Sequence, residues 1–134
     1  MQELLTAFLT RWQSAPALCQ LLSPQRLTVG TPWGKPPYGV LECGGQQLSL
    51  RTTAGYLYRI LVHLRFVDED HHRLAGLAEV LPRVYDSWRQ PLAADKYLLG
   101  FTVERIEDHI PHPGMWQKTF GCVAVVFVTF GDRT

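Results

Sequence analysis

The sequence predicts an α+β domain, a mainly antiparallel four-stranded sheet with helices packed on it in the order ααββαββ. Three observations lead there. Residues 56–67 alternate, with Tyr56, Tyr58, Ile60, Val62, Leu64 and Phe66 on one face and Arg59, His63 and Arg65 on the other. That is the two-residue period of a strand. Leu74, Leu77, Leu81, Val84 and Trp88 instead recur at helical spacing, which stacks them on one side of a helix. The closing run, residues 118–130, is β-branched and aromatic, and its stretch 123–128 is apolar on both faces. Such a strand belongs at the centre of a covered sheet.

The remaining elements follow in chain order. Leu4, Leu5, Phe8, Leu9 and Trp12 share one helical face, and Pro16 suits the first turn of a second short helix that Ser23-Pro24 closes, so residues 1–22 are read as two helices. Residues 38–67 hold the first two strands, with Gly44-Gly45-Gln46-Gln47 as the turn chemistry between them. Asp68-Glu69-Asp70 places carboxylates where a helix dipole favours them. The helix over 69–90 then meets Pro82, whose ring displaces a backbone bond, so a kink is expected. Residues 97–131 form a C-terminal hairpin, loosely alternating from Tyr97 to Glu107. Its turn-rich loop runs from Asp108 to Gly114.

With 134 residues, 46% hydrophobic and 19% charged, the chain is read as one ordinary domain, 1–134, able to bury its own core. The formal charge of +1, with both signs mixed along the chain, gives no basic stripe for tracking phosphates, so nucleic-acid specificity is not expected. No apolar run approaches a spanning helix and no basic segment precedes the first leucines, so the reading is a soluble chain with no membrane partner and no secretion signal. Cys19, Cys43 and Cys122 have neither metal-ligand nor redox-pair spacing. They are read as reduced thiols.

No catalytic signature is present, so no catalytic residue, no cofactor and no enzyme activity are expected. Ser14, Ser23, Ser49 and Ser87 lack the glycine context of a nucleophile elbow, and there is neither a GxGxxG nor a Walker loop. Glu104 and Glu107 fall on opposite faces of a regular strand, which separates them as an acid and base. His71-His72 follow three carboxylates, but adjacent helical residues diverge by about 100° and cannot converge on one ion. His109 and His112, with Glu107 and Asp108 nearby, are weak metal candidates only, because their spacing matches no zinc pattern. Trp12 and Trp88 lie on core faces. Trp33 and Trp116 lie in loops, where a large aromatic is a candidate partner anchor or a cover for the sheet edge.

The order of elements, the segment Ala15-Pro16-Ala17-Leu18-Cys19-Gln20-Leu21-Leu22, the Arg26 link and the Pro36-Pro37-Tyr38-Gly39-Val40-Leu41 lead-in together resemble the tail-completion proteins of tailed phages and prophages. This group includes tail terminators, head-to-tail joining proteins and minor tail protein U-like members. The resemblance implies a structural protein of the virion, found in the host cytoplasm during assembly. It would assemble as a homo-oligomeric ring, often a hexamer, that caps the tail tube and meets the head connector protein. The helix with Pro82, Arg83, Tyr85, Trp88 and Arg89 departs from that pattern by being longer and more interrupted.

A ring needs two different faces of one subunit to meet. Trp33, Pro36, Tyr38, His112, Met115 and Trp116 are the residues expected at such faces. The alternative is a small-molecule or peptide binding module without catalysis, its ligand held between helices and sheet. In the stretch TPWGKPPYGVLE, residues 31–42, the paired prolines hold the backbone extended and deny amide donors. They thereby fix where the first strand begins.

Overall fold

The computed structural model describes residues 1–32 and 34–130. Helix α1 (Gln2–Gln13) and helix α2 (Pro16–Leu21) open the chain, a 3₁₀ turn (Pro24–Arg26) follows, and strand β1 (Leu27–Val29) leads to β2 (Tyr38–Arg51) and β3 (Gly55–Asp68). Helix α3 (His71–Tyr85), β4 (Gln90–Ala93), β5 (Lys96–His112) and β6 (Met115–Thr129) complete it. The strands form one curled sheet in the order β1-β2-β3-β6-β5-β4, all pairs antiparallel except β1 with β2.

This corrects the expected four-stranded sheet: it has six strands and is mixed. The two additions are the short flanks β1 and β4, of 3 and 4 residues. The element order gains a strand before β2 and another after α3.

All three helices lie on one side of the sheet, because only that side is apolar throughout. Ile60, Val62, Leu64 and Phe66 of β3 and Phe120, Cys122, Ala124 and Val126 of β6 point towards them and are buried. Opposite stand Leu4, Leu5, Phe8 and Trp12 of α1, Leu18 of α2, and Leu74, Leu77 and Leu81 of α3. An aromatic group welds these layers: Trp12 stacks on Phe66 at 5.7 Å, and Phe66 meets Phe120 edge-on at 5.5 Å. Burying such rings contributes the largest apolar areas in a core of this size.

Polar contacts fix the helices without interrupting that core. Trp12 donates its indole N–H to the Leu22 carbonyl at 3.1 Å, and Arg11 donates Nε–H to the Val84 carbonyl at 2.8 Å. Lys96 donates to Glu3 at 2.8 Å, tying the start of β5 to the first turn of α1. Asp70 caps α3 by accepting from the His72 amide at 2.9 Å.

Several boundaries differ from the sequence reading. The helix spans residues 71–85 rather than 69–90, and it continues through Pro82 to Tyr85. Trp88 keeps the helical phase yet is buried from outside the helix: Ser87, at φ 59°, reverses the chain and returns the indole to the core. Gly44-Gly45 is not a turn, since β2 runs on to Arg51 and the register shifts between Cys43 and Gln46. Residues 108–112 are likewise strand, and the hairpin turns only around Gly114, at φ 78°. β6 is central, as its two apolar faces predict, but its second face lacks a helical cover. A further shift between Val103 and Arg105 changes the phase of β5. It turns Glu104 towards Arg59 at 3.6 Å, and Glu104 and Glu107 then border one shallow depression instead of opposite faces.

Candidate assembly surface

The two long hairpins point away from each other. β3 and β6 pair without interruption from Gly55 with Thr129 to Asp68 with Trp116, so the β2–β3 tip lies at one end of the sheet and the β5–β6 tip at the other. The β5–β6 arm extends past the start of α3. Its residues from Glu104 to His112 are exposed.

Most of the interface residues expected from the sequence gather at this second end. Tyr38 pairs with Val67, Val67 with Gln117, and Gln117 with His109, so one row across the sheet joins the end of the proline loop to the hairpin arm. His112 and Met115 form the last pair before the tip, with Trp116 beside them. Pro36 and Tyr38 are half-buried, and the Pro36–Pro37 peptide bond is cis. Arg26 spans the loop by donating to the Lys35 carbonyl at 2.8 Å. The expected contact at Trp33 lies outside the described residues.

Between the arm and the first turns of α3 runs an open groove of about 640 Å³ lined by His71, Leu74, Ala75, Ile110, Trp116 and Lys118 among others. Trp116 is held at its rim by the His71 ring, 5.2 Å away, which in turn lies 4.1 Å from the His72 ring. Ile110 is 64% exposed, the most solvated of the large apolar side chains among the described residues. Lys118 lies along the groove floor and donates to Asp108 at 2.6 Å, so its stem adds apolar lining while its charge is neutralised locally. An apolar groove with an aromatic at its rim suits a protein partner better than a charged ligand.

The same end carries the histidines. His109 lies 3.9 Å from the Glu107 carboxylate, while His112 pairs across to Met115 at the tip. Among the described residues no three His, Cys, Asp or Glu side chains converge as a metal would require. No helix among the described residues is long and apolar enough to cross a membrane.

A second surface was legible in the sequence only in part. On the side of the sheet away from the helices, Leu50 pairs with Leu57, Leu57 with Phe127 and Phe127 with Tyr97, giving a row of four apolar side chains. Leu50 is 55% and Tyr97 39% exposed. Beyond the row stand Arg59, His63, Glu104 and Arg105, a mixed-charge belt. The alternation that marked β3 as a strand also implied this second face, but only the strand register shows that its apolar members line up.

No family model and no curated protein matches the chain. Its fold is similar to that of a chain in a solved structure described as the virion of a native gene transfer agent particle. The TM-score is 0.64 over 88% of this chain and 90% of that one, with 13% of residues identical. At that identity the likeness is one of fold.

Proposed function

We propose that this chain is a structural subunit of a phage or prophage virion, assembling as a ring that caps the tail tube and joins it to the head connector. The observation that supports this most is the fold likeness to a chain of a phage-like virion particle, extending over nearly the full length of both chains. The sequence resemblance to tail-completion proteins points the same way. So does the surface: an exposed arm, an apolar groove rimmed by Trp116 and an uncovered apolar row suit a protein whose work is contact with other proteins. In this reading the chain works without catalysis or cofactor. It belongs to the virion, and to the host cytoplasm while the particle is built.

Light scattering and negative-stain microscopy of the purified protein test the reading, alone and mixed with the tail tube and connector proteins encoded beside it. Rings, or tube ends closed by this protein, are the expected result. A monomer at every concentration that also ignores both partners would sink it. Trp116→Ala removes the aromatic from the groove rim, where it is already 36% exposed, so the variant should fold normally. It should weaken association by roughly tenfold or more, as loss of an aromatic anchor does.

A further inference from the structure

The two long strands nearest the sheet margins each keep one edge open. β1 covers β2 only at Gly39, Val40 and Leu41, and β4 covers β5 only from Lys96 to Leu98. Next along β5, the Leu99 carbonyl accepts from Arg89 Nε at 3.0 Å and the Phe101 carbonyl from the Ser87 amide at 3.2 Å. Past these points residues 42–51 of β2 and 102–112 of β5 have a strand neighbour on one side only, among the described residues.

Proteins ordinarily guard such edges with lysine, proline, shortness or bulges. Residues 42–51 contain no lysine and no proline, and the one proline in 102–112 is Pro111, next to the tip. Register shifts occur in both strands, yet residues 46–48 and 105–109 stay in unbroken pairing. These edges are long enough to template another strand.

We propose that β2 of one copy adds to β5 of the next along these open stretches, so that the sheet runs on from subunit to subunit. This rests on the ring reading above and names its interface. Strand polarity favours a second copy as the occupant. β2, β3, β6 and β5 alternate in direction, so a neighbour related by rotation about an axis along the strands presents its β2 antiparallel to β5. The alternation then passes through the boundary unbroken.

The two edges are different and lie on opposite sides of the sheet, which makes the contact heterologous and able to close into a ring. β1 and β4 flank opposite ends of the sheet, beside Phe66 to Leu64 of β3 on one side and near Tyr56 and Tyr58 on the other. The open stretches are therefore offset along the strands. A closed sheet requires such a stagger, since its strands must tilt. A peptide partner would fill one edge by β-augmentation and leave the other bare; a second copy fills both. The open β2 stretch carries Glu42 and Arg51 as its charged residues, so it brings no block of like charge to Glu104, Glu107 and Asp108.

Amide hydrogen exchange on the full chain, compared between dilute monomer and assembled oligomer, tests this directly. Exchange in 42–51 and 102–110 should slow by about tenfold or more on assembly, as newly bonded strand amides do. An oligomer whose added protection falls instead at 71–75 and 116–118 overturns the edge pairing while leaving the ring standing. Failure to assemble under any condition removes the ring and the edge pairing with it. In parallel, Gln46→Pro withdraws an amide that faces away from β3, since Gln46 pairs with Ile60, whose own backbone groups turn to β6, and it should shift the oligomer towards monomer. A folded Gln46→Pro protein that assembles at the wild-type midpoint also overturns the proposal, and the exchange comparison stands even where that variant does not fold.

Discussion

Tyr85 donates its hydroxyl to the carbonyl oxygen of Phe8 at 2.7 Å, and the two rings stack 4.1 Å apart within 8° of parallel. One side chain thus fastens the last turn of α3 to the middle of α1. The Phe8 carbonyl is inside α1, so removing the hydroxyl leaves its helical bond in place. Tyr85→Phe should therefore cost only about 1 kcal/mol in chemical denaturation, whereas Tyr85→Ala, which empties a fully buried site, should cost about 3–5 kcal/mol. Equal losses in the two variants would mean that the hydroxyl, not the ring, holds the helices together.

The same residue sets an alkaline limit. Burial pushes the Tyr85 phenol well above its ordinary value of 10.0, so the folded state keeps the proton that the unfolded chain releases. A raised acid contributes stability that is complete below the unfolded value and is lost as pH rises past it. The melting temperature should therefore fall above about pH 10, and Tyr85→Phe should flatten that limb. An unchanged slope in the variant assigns the limb to other groups.

Asp68 is 3% exposed and is surrounded by donors: the Asp70 amide at 2.9 Å and Arg73 through Nε and a terminal nitrogen, both at 2.8 Å. The fork holds the junction between β3 and the capped start of α3, next to the groove. Donating to Asp68 raises the Arg73 guanidinium above its usual range. Arg73→Ala takes two of these three hydrogen bonds from a buried carboxylate and should cost about 1–3 kcal/mol. Asp68→Ala should cost at least as much, and the double variant should lose less than the sum of the two. Strict additivity would show that the two side chains act independently.

What was legible in the sequence was whatever had a period long enough to read. β3 alternates over a dozen residues, and Ile60, Val62, Leu64 and Phe66 of the expected face are buried in the core, while Tyr56 and Tyr58 stay partly exposed; β6 was legible as a long run apolar on both faces. β1 and β4 could not be read that way, because strands of 3 and 4 residues carry no period and β4 contains Pro91. Local turn chemistry misled twice. Gly44-Gly45 and residues 108–111 are good turn formers, but each lies opposite a strand that pairs with its neighbours, and pairing outweighs propensity. Helical phase misled once, at Trp88, where the core attracts an indole from a loop as readily as from a helix. At the candidate site, Trp116 and His112 stood out as exposed loop residues. Their company with Tyr38, His71 and Leu74 depends on sheet register and on where α3 starts, which no local pattern encodes.

Gly55 opens β3 where a side chain has no room. A Cβ there would run into the Val128 carbonyl oxygen and come within 2.9 Å of the Thr129 Cα, both backbone atoms that cannot swing aside. Gly55→Ala must therefore push β3 from β6 at the end of their ladder, and we expect a loss of about 2 kcal/mol or more. Gly45→Ala, whose added carbon meets nothing within 4 Å, should change stability by less than about 0.5 kcal/mol. Similar melting temperatures for the two variants would contradict the close approach of β3 and β6 at this point.

The three thiols report opening of the core from its centre outwards. Cys122 points from β6 into the buried layer, 1% exposed, and burial pushes its pKa up to about 12. Cys43, half-buried on β2, is raised in the same direction by desolvation, while Cys19 donates its S–H to the Trp12 carbonyl at 3.2 Å near the surface. Thiolate is the reactive form, so labelling at pH 8 by a small aromatic disulfide requires both access and ionisation. Cys19 and Cys43 should react in the native protein, and Cys122 only at the rate at which the sheet and helices separate. Cys122 labelling should then quicken with denaturant in step with loss of tertiary structure. Native-state modification of Cys122 as fast as that of Cys19 would mean that the helical layer lifts from β6 without unfolding.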